Sequence, residues 1–326
     1  MLYEKMNVLI TGGLGFLGSN LAHKLLASKA NVTIIDNLST LYGGNEFNIY
    51  DIRNRLNIVV GDVRNENLLR PLVERADMIF HFAAQVSYID SLSIPFDDLD
   101  INARSTLLLL ELCRKYNPAA KILFSSSRLV LGRVYNCIFD EESSPHPLSL
   151  YGLHKFVSEK YLLMYFKNFG IKCTIFRITN PYGPRQQIKH NKYSLIGWFV
   201  RQAMEGQTIK IFGDGEQVRD YVFADDLVEA VYLCSMANES NGEVINVGSG
   251  TRTKFKNMVE LVIETVGKGR VEKVPWPKNY ETIETGDCVA NISKLKKMTG
   301  FSPITTLEEG IRLTYNYYYK YMDYYI

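Results

Sequence analysis

The sequence lacks the cysteine patterns that indicate disulfide bonds or a metal site. Its five cysteines are odd in number and widely scattered, with no Cys-x-x-Cys pair and no Cys/His cluster. A disulfide framework is typically built on an even, regularly spaced set, and structural zinc needs clustered Cys and His ligands. We therefore predict no metal site and a reduced, cytoplasmic setting.

Long hydrophobic runs and an excess of charge of one sign are missing as well. The apolar run at residues 7–10 ends at glycines, far short of the roughly 20 apolar residues that span a bilayer. The 37 basic and 35 acidic side chains give a formal net charge of +2. This balance gives no reason to expect nucleic acid as a partner. We predict neither a membrane nor a nucleic-acid partner.

Glycines are present where a strand turns into a helix. After the run at 7–10, Gly12 permits a tight turn, Gly15 lets a pyrophosphate approach the helix N-terminus, and Gly18 lets the helix pack close to the sheet. A second apolar run ends in Asp36, where an acid can bind the adenosine ribose hydroxyls and repel a 2′-phosphate. Strand, glycine turn, helix and acid together predict an NAD site.

Short apolar runs alternate with helix-length segments through the first half of the chain. Further strands are predicted at 58–60, 78–80, 121–124 and 173–176, and helices at 65–75, 96–116 and 151–169. The alternation predicts an α/β fold with a Rossmann-type doubly wound parallel sheet. We assign residues 1–178 to an NAD-binding domain. Residues 179–326 are assigned to a smaller α+β substrate-binding lobe, with segments returning to the main sheet.

Three residues could form a catalytic group. Tyr151 and Lys155 lie four positions apart on one face of a predicted helix, and Ser127 ends a predicted strand. A tyrosine base must lose its proton near neutral pH although its ordinary pKa is about 10. The Lys155 ammonium and an oxidised nicotinamide would both stabilise the phenolate, and Ser127 could hydrogen-bond a substrate oxygen. The alternative is an exposed helical pair and a polar strand exit.

The ordered set of motifs resembles the extended short-chain dehydrogenase/reductase family, in particular its NAD-dependent nucleotide-sugar epimerases and dehydratases, and covers nearly the whole chain. The set includes the glycine turn, the acids after the second and third strands, and the Tyr/Lys pair. The resemblance implies a set of cofactor contacts. These are Gly12, Gly15, Phe16, Leu17, Gly18, Asp36, Asn37, Asp62, Val63, Phe82, Ala83, Ala84, Asn102, Tyr151 and Lys155.

The resemblance also implies a nucleotide-sugar site in the second half. Asn180 matches an asparagine that contacts the sugar diphosphate, and Arg219 matches an arginine that meets phosphate, for which its planar fork is suited. A surface pair with Asp220 or Asp225 is the alternative for Arg219. We add to the substrate set three residues that follow or end strands: Gln85, Ser87 and Ser127. Gln85 and Ser87 could equally be loop packing.

Several positions depart from the family pattern. Arg128 and Leu129 stand where 4,6-dehydratases carry an Asp-Glu pair, and neither can supply the acid and base that removal of water requires. Glu284 stands where UDP-galactose 4-epimerases have an arginine, so one phosphate-binding arginine is missing. Lys278 is a candidate replacement. These departures disfavour a dehydratase and leave the mode of nucleotide binding open.

We therefore predict an NAD-dependent epimerase of a nucleotide-diphosphate sugar, with C4 favoured, acting through a transient 4-keto sugar. Three alternatives stay open. The segment His81–Ser87 also resembles epimerases that act at C2 of CDP-activated sugars. A 4-keto-sugar reductase would use the same three residues, and a non-enzymatic dinucleotide sensor would need none of them. The resemblance implies a homodimer through helices near 96–116 and 151–169.

Overall fold

The computed structural model describes residues 3–193, 195–277 and 283–326, and in them seven parallel strands form a central sheet. The strands are β1 (Asn7–Thr11), β2 (Asn31–Asp36), β3 (Asn57–Val60), β4 (Met78–His81), β5 (Lys121–Ser127), β6 (Cys173–Ile178) and β7 (Glu243–Val247). Their order across the sheet is β7-β6-β5-β4-β1-β2-β3. The order reverses beside β1, which is where doubly wound sheets bind ligands. The predicted fold class is confirmed.

Helices cover both faces of this sheet. They are α1 (Phe16–Ala27), α2 (Glu66–Val73), α3 (Ser105–Tyr116), α4 (Leu150–Phe169), α5 (Leu195–Met204), α6 (Ala224–Met236), α7 (Phe255–Val266), α8 (Ser293–Thr299) and α9 (Leu307–Tyr321). Side chains of a strand alternate between faces. Ile10 accordingly packs with Leu21 and Leu227 of one core, and Leu9 with Leu109 and Leu162 of the other.

The helix predicted over 96–116 is divided in the structure. A helical turn at Pro95–Asp98 is followed by a π-helical segment at Leu99–Arg104, and only then does α3 begin. The wider π turn leaves the carbonyl of Asn102 available to side chains. It accepts hydrogen bonds from Thr106 Oγ1 at 2.7 Å and from Ser158 Oγ of α4 at 2.9 Å. Hydroxyl groups thus compensate for the interrupted helical ladder.

The second half of the chain forms a smaller lobe and also contributes to the main sheet. β7 pairs with β6 in parallel, and α6 packs against α1. Short two-stranded pairs join Thr208–Phe212 to Arg270–Val274 and Asn180–Tyr182 to Tyr221–Phe223. The lobe has its own apolar core between α5, α7 and α9. A domain boundary at residue 178 stays a prediction.

An aromatic cluster at residues 317–325 holds the loop that follows β2. The Tyr324 ring stacks on Phe47 with centroids 3.9 Å apart, and Tyr325 Oη donates to Asn48 Oδ1 at 2.5 Å. Asn48 Nδ2 in turn donates to the carbonyl of Leu14, at 2.8 Å, within the glycine turn. The cluster therefore supports the turn after β1 from behind.

Candidate active site

A cavity of about 560 Å³ lies at the carboxyl ends of the sheet strands, between the sheet and the smaller lobe. Most of the residues that the sequence singled out line it. They are Gly12, Gly15, Phe16, Leu17, Gly18, Asp36, Asn37, Asp62, Val63, Phe82, Ala83, Ala84, Ser127, Tyr151, Lys155, Asn180 and Arg219. The fold thus brings segments from both halves of the chain to one site.

The glycine turn leaves room for a phosphate group at the N-terminus of α1. Gly12 has φ +71°, and a Cβ there would lie 2.7 Å from the Ala83 nitrogen. A Cβ at Gly18 would lie 2.3 Å from the Gly12 oxygen, which explains why the helix needs glycine to pack here. A Cβ at Gly15 would meet only that oxygen, at 3.3 Å, and would otherwise point into the cavity. Within the described residues no side chain caps α1, so its N-terminus is open to an anion.

Two acids line the cavity: Asp36, the last residue of β2, and Asp62, which follows β3. Asp36 accepts hydrogen bonds from the backbone nitrogens of Leu14 at 2.9 Å and Leu38 at 2.8 Å. Burial raises the pKa of Asp36 above its usual range, and these bonds oppose the rise. Hydrogen bonds from Arg64 and from Asn37 Nδ2 lower the pKa of Asp62 to about 2. Asp36 stands at the end of the second strand, where an acid binds the ribose hydroxyls of a dinucleotide, and Asp62 lines the cavity next to Asn37, so the residues present fit NAD.

Tyr151 and Lys155 project from the first turns of α4, which the Ser149 hydroxyl caps by accepting from Gly152 N. Burial raises the pKa of Tyr151 above its ordinary value, and a hydrogen bond with Ser127 opposes the rise. Lys155 Nζ donates to the Ser125 carbonyl at 2.9 Å and lies 6.0 Å from the Tyr151 ring centroid. Burial lowers the pKa of Lys155 to about 8, so it is charged near neutral pH.

The chain by itself does not offset the burial of the Tyr151 phenol. Desolvation raises the pKa of Tyr151, and the hydrogen bond with Ser127 opposes only part of the rise. A buried phenolate is costly unless a nearby cation compensates for lost hydration. This agrees with the expectation that Lys155 acts on Tyr151 together with an oxidised nicotinamide, which would add a second positive charge when NAD is bound.

Three predicted residues lie outside the cavity lining. Gln85 Nε2 donates to the Ser87 carbonyl at 2.8 Å, its Oε1 accepts from Ser87 N, and Ser87 Oγ accepts from Asp90 N at 3.1 Å. Asn102 Nδ2 donates to the Gln85 carbonyl at 3.0 Å. All three are almost fully buried. The structure therefore corrects their assignment to substrate or cofactor: their polar groups hold the loop after β4 in shape.

Arg219 is held by a residue that sequence reasoning did not pair with it. It forms an ion pair with Glu284, and its Nη1 donates to the Gly286 carbonyl at 2.8 Å. The alternative pairing with Asp220 does not occur, because that carboxylate accepts from the backbone nitrogens of Ser249, Gly250 and Ala290. Lys278, the candidate replacement for the missing arginine, lies outside the described residues.

Sequence reasoning also missed a contact between two loops beside the cavity, which we call the strap: residues 39–44 and 187–193. Tyr193 Oη donates to the Leu41 carbonyl at 2.9 Å, and the His190 ring lies 3.3 Å from the same oxygen. Lys192 Nζ forms an ion pair with Asp90 at 2.8 Å. Tyr42, Lys192 and Tyr193 all line the cavity. Tyr193 and Leu41 are 152 positions apart and Lys192 and Asp90 are 102 apart, with no shared motif, so no sequence signal marked them.

Comparison with known proteins agrees with this geometry. Residues 8–248 match the model of the NAD dependent epimerase/dehydratase family. A crystal structure of UDP-glucose 4-epimerase with UDP-glucose from Thermotoga maritima shares 33% identity at a TM-score of 0.89, covering 97% of this chain and 100% of that one. CDP-paratose 2-epimerase of Salmonella typhi is 31% identical, over 96% of this chain and 99% of that protein. UDP-glucose 4-epimerase of Mycolicibacterium smegmatis is 30% identical, over 96% and 98%.

The chain belongs to the NAD dependent epimerase/dehydratase family. The predictions of this family, of NAD as the cofactor and of an enzyme of the nucleotide-sugar epimerase type are confirmed. No helix among the described residues is long and apolar enough to cross a membrane.

Proposed function

We propose that the protein epimerises a nucleotide-diphosphate hexose at C4: it oxidises the C4 alcohol to a ketone and then reduces the ketone from the opposite face of the sugar. The observation that carries this proposal is the convergence of Ser127, Tyr151 and Lys155 at a cavity that also reaches Asn180 and Arg219. One end of the cavity fits a dinucleotide, and the other presents side chains suited to a phosphorylated sugar. The catalytic group lies where the two would meet.

The chain's own residues handle the proton and the orientation of the sugar. Tyr151 Oη takes the proton of the C4 hydroxyl, and Ser127, hydrogen-bonded to Tyr151, orients that oxygen. Lys155 holds a positive charge behind the phenol. Bound NAD would supply the acceptor, and afterwards the donor, of the C4 hydride. The 4-keto sugar turns over between its oxidation and its reduction, and Tyr151 returns the proton.

The strap favours an epimerase over a 4-keto-sugar reductase. An epimerase regenerates its cofactor in each cycle, so the cofactor has no need to leave, whereas a reductase must exchange it in every turnover. Residues 39–44 and 187–193 contact each other beside the cavity through Tyr193 and His190, and Lys192 ties the second loop to Asp90. Such contacts slow release of the cofactor.

Residues at the end of β5 disfavour dehydration. Arg128 and Leu129 follow Ser127 directly, and both line the cavity. A guanidinium that stays protonated and a hydrocarbon cannot serve as the acid and base that eliminate water. Oxidation and return at a single carbon needs no further acid or base, so the residues present are sufficient for it.

Epimerisation at C2 of a CDP-activated sugar is the second candidate. The likeness to CDP-paratose 2-epimerase, at 31% identity over nearly the full length of both chains, is the observation that favours it. The same tyrosine, serine and lysine would act at C2 if the hexose were bound in a different orientation. The two candidates therefore differ in substrate placement and not in catalytic chemistry.

One experiment tests these assignments. The purified protein is assayed for bound NAD(H) and then incubated with UDP-, CDP-, dTDP- and GDP-hexoses without added cofactor. A 4-epimer formed with no net redox change supports the proposal, and a 2-epimer formed from a CDP-sugar supports the second candidate. Strict dependence on added NADPH would identify a reductase. No turnover of any sugar by NAD-loaded protein would contradict an epimerase.

We further propose a homodimer through the face formed by α3, α4 and the turn at Pro95–Asp98. Phe96, Leu153 and Met164 are 80%, 41% and 56% exposed there, so this face offers apolar surface that a second copy of the chain could bury. Phe96→Glu should shift the molecular mass measured by light scattering from dimer to monomer. A monomeric wild-type protein would contradict this. The cytoplasmic setting and the domain boundary at residue 178 stay predictions.

A further inference from the structure

The side chain of Arg128 presents a charge that the proposed function has not used. It is 8% exposed and lines the cavity directly after Ser127. Its Nη1 donates to Thr285 Oγ1 at 2.7 Å, and its Nη2 lies 3.5 Å from Asn180 Oδ1. Among the described residues no carboxylate lies within ion-pair distance of it. Burying a guanidinium among neutral partners costs free energy unless an anion binds there and balances its charge.

A second polar group next to Arg128 also lacks a partner. The Tyr221 hydroxyl is buried and finds no hydrogen-bond partner among the described residues, although Tyr221 lines the cavity. Arg128 and Arg219 both lower the pKa of this hydroxyl against the effect of burial, so both positive charges lie near it. Buried polar groups in native proteins are almost always hydrogen-bonded. The unsatisfied hydroxyl and the unpaired guanidinium point to one missing oxygen-rich group.

The neighbouring arginine is less available for that group. Arg219 is paired with Glu284, the acid that replaces an arginine of the family pattern. Counting Arg128, Arg219 and Glu284 together, the local charge is that of a single cation. Arg128 contacts Thr285, the residue beside Glu284, so its guanidinium lies next to the position from which the family arginine is missing.

We propose that Arg128, with the Tyr221 hydroxyl, binds the diphosphate of the nucleotide sugar and takes over the role of the arginine missing at position 284. This rests on the proposed function and names the residues that hold its substrate. A planar guanidinium donates two parallel hydrogen bonds to phosphate oxygens, which a surface lysine cannot do. The alternative anion is a carboxylate on the hexose. The diphosphate is favoured because the Arg128 guanidinium contacts Asn180 and Thr285 and, like Arg219, lies near the Tyr221 hydroxyl. The single net positive charge is also used up by the two phosphates, so none remains for a sugar carboxylate.

The test is calorimetric titration of the NAD-loaded protein with UDP, CDP, dTDP and GDP, followed by the monophosphate of whichever binds most tightly. Arg128→Gln should weaken diphosphate binding roughly 10- to 100-fold and monophosphate binding much less. Arg75→Gln controls for net charge. It removes an exposed charge just before β4, at the end of the strands away from the cavity, and should leave both affinities unchanged. NAD content and melting temperature report whether each variant is folded.

Two further variants sharpen the result. In Arg128→Gln/Glu284→Arg the guanidinium moves back to position 284, and most of the lost diphosphate affinity should return. Tyr221→Phe removes only one hydroxyl and tests the same site if Arg128→Gln fails to fold; it should weaken diphosphate binding several-fold.

Three outcomes would overturn the assignment. They are unchanged diphosphate affinity in Arg128→Gln, selective loss of affinity for a nucleotide hexuronate, which would assign Arg128 to a sugar carboxylate, and a wild-type protein that binds no nucleoside diphosphate. Failure of the proposed function looks different. Wild-type protein would bind the diphosphate through Arg128 and yet epimerise no sugar.

Discussion

At the cofactor end of the cavity the shape depends mainly on the backbone of a glycine turn, whereas at the substrate end it depends on side chains. The cofactor end consists of the turn after β1, where Gly12, Gly15 and Gly18 allow the close approach, and of the acids where β2 and β3 end. The substrate end consists of Arg128, Asn180, Arg219, Tyr221 and Glu284, which come from four separate segments. A backbone-built site tolerates little change, whereas one built of side chains can exchange an arginine for a glutamate. The two ends are therefore expected to respond differently to substitution.

Tyr151 lies where the two ends meet, and its replacement should have the largest effect. Tyr151→Phe removes the proposed base but leaves both binding ends intact, so turnover should fall about 10²- to 10⁴-fold while NAD content stays normal. Steady-state kinetics on an epimerisable nucleotide sugar measure this. Tyr165→Phe, on the same helix but hydrogen-bonded to Glu111, is the matched control. Turnover of Tyr151→Phe equal to that of the control would refute the assignment.

Replacing Asp36 tests whether the cofactor end binds its ligand independently of the substrate end. Asp36→Ala should lower NAD affinity roughly 10- to 100-fold, because a charged acceptor for ribose hydroxyls is lost together with its ties to Leu14 and Leu38. Nucleoside diphosphate affinity should not change. Asp36→Asn keeps an acceptor but loses the charge, so it should also reduce the preference for NAD over NADP. Fluorescence titration of cofactor-free protein gives both affinities, and unchanged NAD affinity in Asp36→Ala would remove the ribose assignment.

The strap connects the cofactor end to a loop of the second half, and a smaller effect is expected there. Tyr193→Phe combined with Lys192→Gln removes the hydrogen bond to the Leu41 carbonyl and the ion pair with Asp90. NAD should then dissociate up to roughly tenfold faster. Stopped-flow exchange against a fluorescent analogue measures the rate. Lys189→Gln removes an exposed charge from the same loop and should leave the rate unchanged. Equal rates in all three proteins would mean that the strap does not retain the cofactor.

The smallest expected effect is on the pH dependence of the free energy of unfolding. The pKa of Lys155 is lowered by burial from 10.5 to about 8. Between these values the unfolded chain holds a proton that the folded chain has lost, so this group makes the free energy of unfolding rise with pH. Relative to Lys155→Met, cofactor-free wild-type protein should therefore gain stability across this window. Urea unfolding at several pH values measures the difference, and a constant difference would show that Lys155 does not titrate there.

The cofactor end could be predicted from the sequence because its parts are local. A glycine turn and the acid that ends the next strand follow from short patterns, and a spacing of four on a helix brings Tyr151 and Lys155 to one face. Strand ends of a parallel sheet then meet at one edge whatever the details of packing. These residues all line the same cavity.

The substrate end could not be predicted in the same way because its contacts join distant residues. Arg219 and Glu284 are 65 positions apart, and nothing in either segment indicates that they pair. Gln85 and Ser87 follow a strand just as cavity residues do, but the turn after β4 directs their polar groups to each other. The π-helical segment at Leu99–Arg104 could not be predicted from the sequence for a similar reason. Its wider turn is stabilised by hydroxyls of Thr106 and Ser158, one of them on another helix.

The aromatic cluster at residues 317–325 has a consequence for biosynthesis. Tyr325 bonds to Asn48 across 277 positions, and through Asn48 it supports the carbonyl of Leu14. In a nascent chain that has left the ribosome only as far as the sheet, the loop that carries Asn48 lacks its contacts with Tyr324 and Tyr325. The glycine turn gains its full support only when residue 325 has emerged, so the first loop translated is among the last parts of the molecule to be completed.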